Sequence, residues 1–142
     1  MYITPLKYGY EPTFSAYQKT FVMLKPDAFE RKLDKEIMSK INDSGMKVLQ
    51  DWNGVPTKEK MEGNYIQHKS KPFFEAWLNY LTSGNVKAMV IGGEEAISAI
   101  NSLKKIIRQQ YAPGEKRFNL IHSSDDEASA EREIKNFFDK TV

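Results

Sequence analysis

The fold is decided where a short apolar strand runs straight into a helix, at residues 119–138, NLIHSSDDEASAEREIKNFF. We expect a short strand at the start of this stretch and a helix directly after it. Ser124 and Glu127 have the spacing of a capping box, which predicts that the helix begins there. The apolar residues that share one face of this helix are Ala130, Ile134, Phe137 and Phe138.

His122 lies at the joint between this strand and this helix. The amino end of a helix favours anions such as phosphate, and an imidazole placed there can attack the bound anion. Glu133 lies at the edge of the apolar face, so we expect its carboxylate within hydrogen-bond distance of one nitrogen of His122. The other nitrogen is expected to face an open cleft lined by Lys25 and Arg117. The simpler alternative is that His122 only ends a strand and packs against the sheet.

The composition excludes several classes of protein and site. The chain has 142 residues with 40% hydrophobic content, enough for one core and a single domain. It has no cysteine, which excludes disulfides and thiolate chemistry, and its two histidines have no zinc-site spacing. The 21 basic and 19 acidic residues are too balanced to indicate nucleic acid. With no apolar run near the roughly 20 residues of a membrane helix and no signal peptide, we expect a cytoplasmic protein without a membrane partner.

Strands and helices alternate along the chain in a recognisable order. This order predicts an α+β fold of the ferredoxin-like kind, a four-stranded antiparallel sheet with packed helices and a projecting helical hairpin. We expect residues 1–18 to form an N-terminal extension and residues 19–142 to form the domain. The predicted elements before residue 119 are strand 20–24, a helix ending at Gly45, strand 46–52, helix 57–68, a helix from Pro72 to Leu81, strand 86–91 closed by Gly92 and Gly93, and helix 96–107.

Some side chains allow two interpretations from the residues alone. Lys25 directly follows a buried strand, so it is either a solvated amine or a ligand contact at the edge of the sheet. For Tyr65 and Phe73 the helical spacing favours core aromatics, and stacking on a planar ligand is the alternative. The cluster Lys104, Lys105 and Arg108 is interpreted as a solvated helix flank.

Three separated motifs give the chain a family resemblance: TFVMLKPD at 20–27, YIQHKSKPFF at 65–74, and NLIHSSD at 119–125 followed by AEREI at 130–134. From about residue 20 to residue 138 the sequence resembles the nucleoside diphosphate kinases. It looks like a divergent member with a shortened loop before the strand of His122. Three motifs in the same order are more specific than any one of them.

The resemblance implies an enzyme that transfers the γ-phosphoryl group of a nucleoside triphosphate to a nucleoside diphosphate through a phosphohistidine at His122. It also implies Mg²⁺ as cofactor and a homo-oligomer built from dimers. One alternative is a nucleotide-binding regulatory member with little or no turnover. A single-stranded nucleic-acid module is disfavoured, because the aromatic strand motif of such modules is missing.

The resemblance also implies a role for each matched residue. Glu133 would hold the imidazole tautomer, Lys25 would contact the γ-phosphate, and Tyr65 and Ser124 would position the histidine and the transferred group. The simplest alignment puts Asn101 where the family has a phosphate-binding arginine, with Arg108 or Lys105 as substitutes. The remaining expected ligand contacts are Phe73 on the base, Asn119 on the ribose, Arg117 on phosphate and Asp125 on the metal.

Overall fold

A computed structural model describes residues 16–138, which form one four-stranded antiparallel sheet with helices on both faces. The order of strands across the sheet is β2-β3-β1-β4, and every neighbouring pair is antiparallel. This arrangement confirms the predicted ferredoxin-like α+β fold. The strands are β1 (Tyr17–Leu24), β2 (Lys47–Gly54), β3 (Val86–Glu94) and β4 (Ile121–Ser123).

Six helices connect and cover the strands: α1 (Pro26–Glu30), α2 (Asp34–Asp43), α3 (Lys58–Asn64), α4 (Phe74–Leu81), α5 (Ala96–Tyr111) and α6 (Glu127–Phe138). The Thr57 side chain accepts a hydrogen bond from the backbone N–H of Lys60 and so caps α3. The helix predicted to run to His68 ends at Asn64, and a 3₁₀ turn follows it.

The side chains of β1 alternate between two cores. Phe21 and Met23 point to one face, where α3, α4 and α6 pack, and Val22 and Leu24 point to the other, where α2 and α5 pack. All four are fully buried, as expected for a central strand covered on both faces. The hairpin of α3 and α4 therefore rests on the same face as the final helix, α6.

Strand β3 extends further than its glycines predicted. Gly92 and Gly93 were expected to close the strand, but they pair with residues of β1 and the strand continues to Glu94. A Cβ at Gly92 would overlap the hydroxyl of Tyr17, so the missing side chain lets that ring cover the strand. Tyr17 lies in the predicted extension, whose first fifteen residues lie outside the described ones.

The junction of β4 and α6 differs from the predicted capping box. The carboxylate of Asp126 accepts the backbone N–H of Ser129 at 2.7 Å and caps α6, and this bond lowers the pKa of Asp126. Ser124 instead pairs with β1, where its hydroxyl accepts the N–H of Phe21 at 3.2 Å. His122 was expected at the joint between strand and helix, but it is the middle residue of β4.

Candidate active site

The side chain of His122 is fixed by one buried carboxylate. Its Nε2 lies 2.9 Å from Oε1 of Glu133, which is 1% exposed. A carboxylate only accepts hydrogen bonds, so Nε2 carries the proton and Nδ1 keeps a free lone pair. Among residues 16–138 nothing donates to Nδ1. The Tyr65 ring packs against the imidazole with 5.1 Å between centroids.

The carboxylate of Glu133 is itself held from two other sides. The hydroxyl of Ser124 donates to Oε1 at 2.8 Å, and a guanidinium nitrogen of Arg132 lies 3.5 Å from Oε2. A buried carboxylate without such partners would be strongly destabilising. Ser124 thus fixes the orientation of the carboxylate and acts on His122 only through it.

A cleft of about 210 Å³ opens in front of His122. Its wall carries four Lys or Arg side chains, the side chain of Tyr65 and a single carboxylate, that of Asp125. The basic residues that line it are Lys25, Lys104, Arg108 and Lys116. Such a surplus of positive charge suits a polyanionic ligand.

Lys25 is the most deeply placed of these cations, with 1% of its surface exposed. Its ammonium donates to the backbone oxygen of Arg117 at 2.8 Å and to the side-chain oxygen of Asn119, and it lies 4.6 Å from the centre of the Trp77 ring. Burial, followed by repulsion from the guanidinium of Arg108, lowers the pKa of Lys25 to about 7.

The backbone before His122 is fixed by buried polar groups. Leu120 has φ = +78°, a left-handed conformation that is unfavourable for a residue with a Cβ. The carboxylate of Asp27 accepts the N–H of Leu120 at 3.0 Å and also accepts the hydroxyl of Tyr80. Arg108 donates to two backbone oxygens on either side of Leu120. These bonds offset the strain and fix where β4 begins.

A second cavity of about 380 Å³ adjoins the cleft and shares Trp77 and Lys116 with it. Phe73 and Phe118 line it, and they are 46% and 44% exposed. The core interpretation is therefore right for Tyr65, which is 4% exposed, and wrong for Phe73. An exposed aromatic slot beside a cationic cleft suits a base attached to phosphates.

Three predicted ligand residues are placed differently from expectation. The side chain of Arg117 lines the aromatic slot, so the expectation that it lines the cleft with Lys25 is wrong. Asn101 does not line the cleft: its side-chain oxygen accepts the Ser123 hydroxyl at 2.5 Å and its amide donates to the backbone oxygen of Ser124 at 3.0 Å. Lys105 lines a separate depression on the outer side of α5.

The residues of the site that were missed from the sequence include Lys104, Lys116, Trp77 and Phe118. Lys104 lines the cleft, and its spacing of four from Arg108 was a usable signal, because residues four apart share a helix face. Phe118 gave no signal, since its neighbours in the loop have no periodicity. Of the expected residues, Lys25, Tyr65, Arg108, Asn119, His122 and Asp125 do meet at the cleft.

No cluster of three or more His, Cys, Asp or Glu side chains that could hold a metal ion occurs within the described residues. Asp125 is the one carboxylate at the cleft and is exposed. A single carboxylate fits Mg²⁺, which keeps several waters and takes further oxygens from bound phosphates, and does not fit zinc. Within residues 16–138, every helix is too short or too polar to span a bilayer.

A family model described as "Nucleoside diphosphate kinase" matches residues 18–142. Curated relatives carry the same name. The relative from Methanosphaera stadtmanae is 38% identical over 134 residues, which is 87% of this chain and 88% of that protein. The relative from Methanothermobacter thermautotrophicus is 41% identical over 135 residues, which is 87% of this chain and 89% of that protein.

Solved structures of nucleoside diphosphate kinases have the same fold as this chain. The nucleoside diphosphate kinase of Aquifex aeolicus superposes with a TM-score of 0.78 at 30% identity, over 87% of this chain and 96% of that chain. The halophilic nucleoside diphosphate kinase of Halobacterium salinarum was solved in complex with CDP. It superposes with a TM-score of 0.76 at 36% identity, over 88% of this chain and 90% of that chain. With a family model over most of its length and relatives above 30% identity, this chain belongs to the nucleoside diphosphate kinase family.

Proposed function

We propose that this chain transfers the γ-phosphoryl group of a nucleoside triphosphate to a nucleoside diphosphate through a phosphohistidine at Nδ1 of His122. The observation that carries the proposal is the 2.9 Å contact between Nε2 and Glu133, which leaves Nδ1 unprotonated beside a cationic cleft. Family membership supports the same reaction.

The transfer takes place in two steps. The lone pair of Nδ1 forms a bond to the γ-phosphorus, and the bond from that phosphorus to the bridging oxygen breaks, so the diphosphate leaves with the electron pair. A terminal oxygen of a second nucleoside diphosphate then attacks the phosphorus, and the bond to Nδ1 breaks. Glu133 stabilises the positive charge that the imidazole carries between the two steps.

Lys25 and Tyr65 supply donors to the phosphoryl oxygens. Lys25 holds its ammonium at the cleft wall through bonds to the loop before β4. Tyr65 lines the cleft, and its hydroxyl is buried without a hydrogen-bond partner among the described residues. Burial and the negative charge of Glu133 raise the pKa of Tyr65, so the hydroxyl stays protonated and able to donate.

The nucleoside is assigned to the aromatic slot beside the cleft. Phe73 and Phe118 would stack on the base without reading its edges, which predicts broad nucleotide use. Arg117, which lines the slot, would pair with phosphate, and Asn119, which lines the cleft, would contact the ribose. The Halobacterium salinarum relative was solved in complex with CDP, which supports nucleotide binding by this chain.

Asp125 is the side chain that would hold Mg²⁺ at the cleft. When bound, the ion would neutralise part of the negative charge of the phosphates.

We also propose a homo-oligomer built from dimers, as the family resemblance implies. Within residues 16–138, β2 pairs only with β3, and it carries the exposed side chains Leu49 and Trp52 along a free edge. Light scattering of the full chain tests this assembly.

We also propose a cytoplasmic localisation, which the absence of cysteine supports. The division into an extension of residues 1–18 and a domain of residues 19–142 remains a prediction.

The test uses ATP labelled in the γ-phosphate, with Mg²⁺ and the full chain. We expect acid-labile, alkali-stable label on the protein, its loss in His122→Ala, and its transfer to added CDP. A wild-type protein without label rejects the proposal. Label that is never passed to a diphosphate would instead favour the regulatory alternative.

A further inference from the structure

Lys104 lies on α5 and its side chain lines the cleft in front of His122. Arg108 follows one turn later on the same side of the helix, and it also lines the cleft. The next residue, Lys105, lies on the outer side of α5 beside Gln109. Of two adjacent lysines, α5 therefore brings one to the site and leaves the other on the outer surface.

Lys104 is partly buried at the cleft. Within residues 16–138 its ammonium makes no hydrogen bond and no ion pair with another residue. The ammonium of Lys25 donates to two oxygens of the loop before β4. The guanidinium of Arg108 donates to two backbone oxygens in the same segment. Lys25 and Arg108 thus have internal partners that fix them, whereas Lys104 keeps all its donors for a ligand.

The surroundings of Lys104 disfavour its charge when the cleft holds no anion. Burial, followed by repulsion from Arg108, lowers the pKa of Lys104. Asp125, which lines the same cleft, acts in the opposite direction but is exposed to solvent. A phosphoryl group with two negative charges in the cleft would offset the cost of holding this ammonium charged.

We propose that Lys104 binds the phosphoryl group while it moves between the nucleotide and Nδ1 of His122. The proposal rests on the proposed function and adds a residue to it. Lys104 forms and breaks no covalent bond. It keeps its protons, donates hydrogen bonds to the phosphoryl oxygens, and stabilises the charge that spreads over them as the bond to the bridging oxygen breaks.

The test compares the full chain with Lys104→Met, Lys104→Arg and the matched control Lys105→Met. Rapid-quench measurement with γ-labelled ATP and Mg²⁺ gives the rate of phosphohistidine formation at saturating ATP. Loss of one such donor lowers the rate about 100-fold, with a smaller change in the ATP concentration at half-saturation. Lys104→Arg keeps the charge and retains most of the rate, and Lys105→Met stays within about threefold of wild type.

The outcomes separate this proposal from the proposed function. If wild-type protein forms no phosphohistidine, the proposed function fails. If wild type is phosphorylated and Lys104→Met stays within about threefold of it, Lys104 has no such role while the function stands. An equal loss in Lys105→Met also overturns the proposal, because the effect would then come from the helix as a whole. Lys104→Gln is measured in parallel, with circular dichroism, so that a folding defect in one variant leaves the comparison intact.

Discussion

Nε2 of His122 donates to Oε1 of Glu133 across 2.9 Å, and this carboxylate is almost completely buried. The pair fixes which imidazole nitrogen carries the proton before any nucleotide arrives. Because α6 presents Glu133 and β4 presents His122, the contact also joins the last strand to the last helix.

Replacing Glu133 by glutamine tests the role of this carboxylate. The amide keeps the shape but loses the charge that stabilises the imidazole, so phosphohistidine formation should slow by about 100-fold or more. Rapid-quench labelling with γ-labelled ATP measures the rate. Glu131→Gln, at an exposed position of the same helix, is the control and should behave as wild type. An unchanged rate in Glu133→Gln would show that the tautomer needs no carboxylate.

Asn101→Ala tests the two hydrogen bonds that the Asn101 side chain makes to Ser123 and Ser124. The substitution removes both hydrogen bonds to the residues that follow His122 and leaves the Ser124 carbonyl without its amide donor. We expect the free energy of unfolding to fall by about 1–3 kcal/mol, measured by urea denaturation. Ser102→Ala, exposed on the same helix, should change little. If Asn101→Ala is as stable as the control, the two bonds contribute nothing to stability.

The lowered pKa of Lys25 predicts proton uptake when a nucleotide binds. At pH 8 a lysine with a pKa of about 7 is mostly neutral, and bound phosphate raises that pKa again, so close to one proton should be taken up. Calorimetry of ADP binding in buffers of different ionisation enthalpy measures the uptake. It should disappear in Lys25→Met and shrink for wild type below pH 6, where Lys25 is already charged. Uptake that is equal in Lys25→Met would contradict this assignment.

The lowered pKa of Lys25 also determines how the free energy of unfolding changes with pH. Between pH 7 and 10.5 the unfolded chain binds a proton at Lys25 that the folded chain has released. The contribution of this group to the free energy of unfolding therefore rises with pH across that window. The difference between wild type and Lys25→Met in chemical denaturation should show that rise.

Phe73→Ala tests the aromatic slot. Losing one stacking ring should weaken the binding of ADP, GDP and CDP by about 1–3 kcal/mol each, by a similar factor because every base offers a π-face. Equilibrium titration measures the three affinities. Ile106→Ala removes an exposed apolar side chain on the outer side of α5 and should leave them unchanged. A loss confined to one base would mean that the slot reads base edges.

The sequence was enough to predict the contact between His122 and Glu133, because both belong to one short strand-to-helix segment whose geometry is local. It was not enough for Ser124, since the pairing of β4 with β1 gave its hydroxyl other partners and left the helix cap to Asp126. Helical spacing alone favoured a core position for Phe73, and only the family resemblance indicated stacking on a base, because spacing shows which residues share a face but not what covers that face.

The residues around the cleft were also only partly predictable from the sequence. The place of Lys25 after a buried strand left a solvated amine and a ligand contact equally open, and the structure buries it at the cleft wall. The partners of Asn101 belong to a segment more than twenty residues away, so only the folded chain reveals that its amide is used inside the protein. Extension of β3 through two glycines likewise depends on its pairing with β1.

Trp77 borders both the cleft and the aromatic slot, and the ammonium of Lys25 lies over its ring. The other tryptophan, Trp52, lies on β2 at the opposite edge of the sheet from β4, and its ring packs edge-on against Phe137 of α6. Whatever fills either cavity changes the surroundings of one indole and leaves the second as a constant background. The chain thus contains a built-in fluorescent reporter of occupancy, readable without a dye or a label.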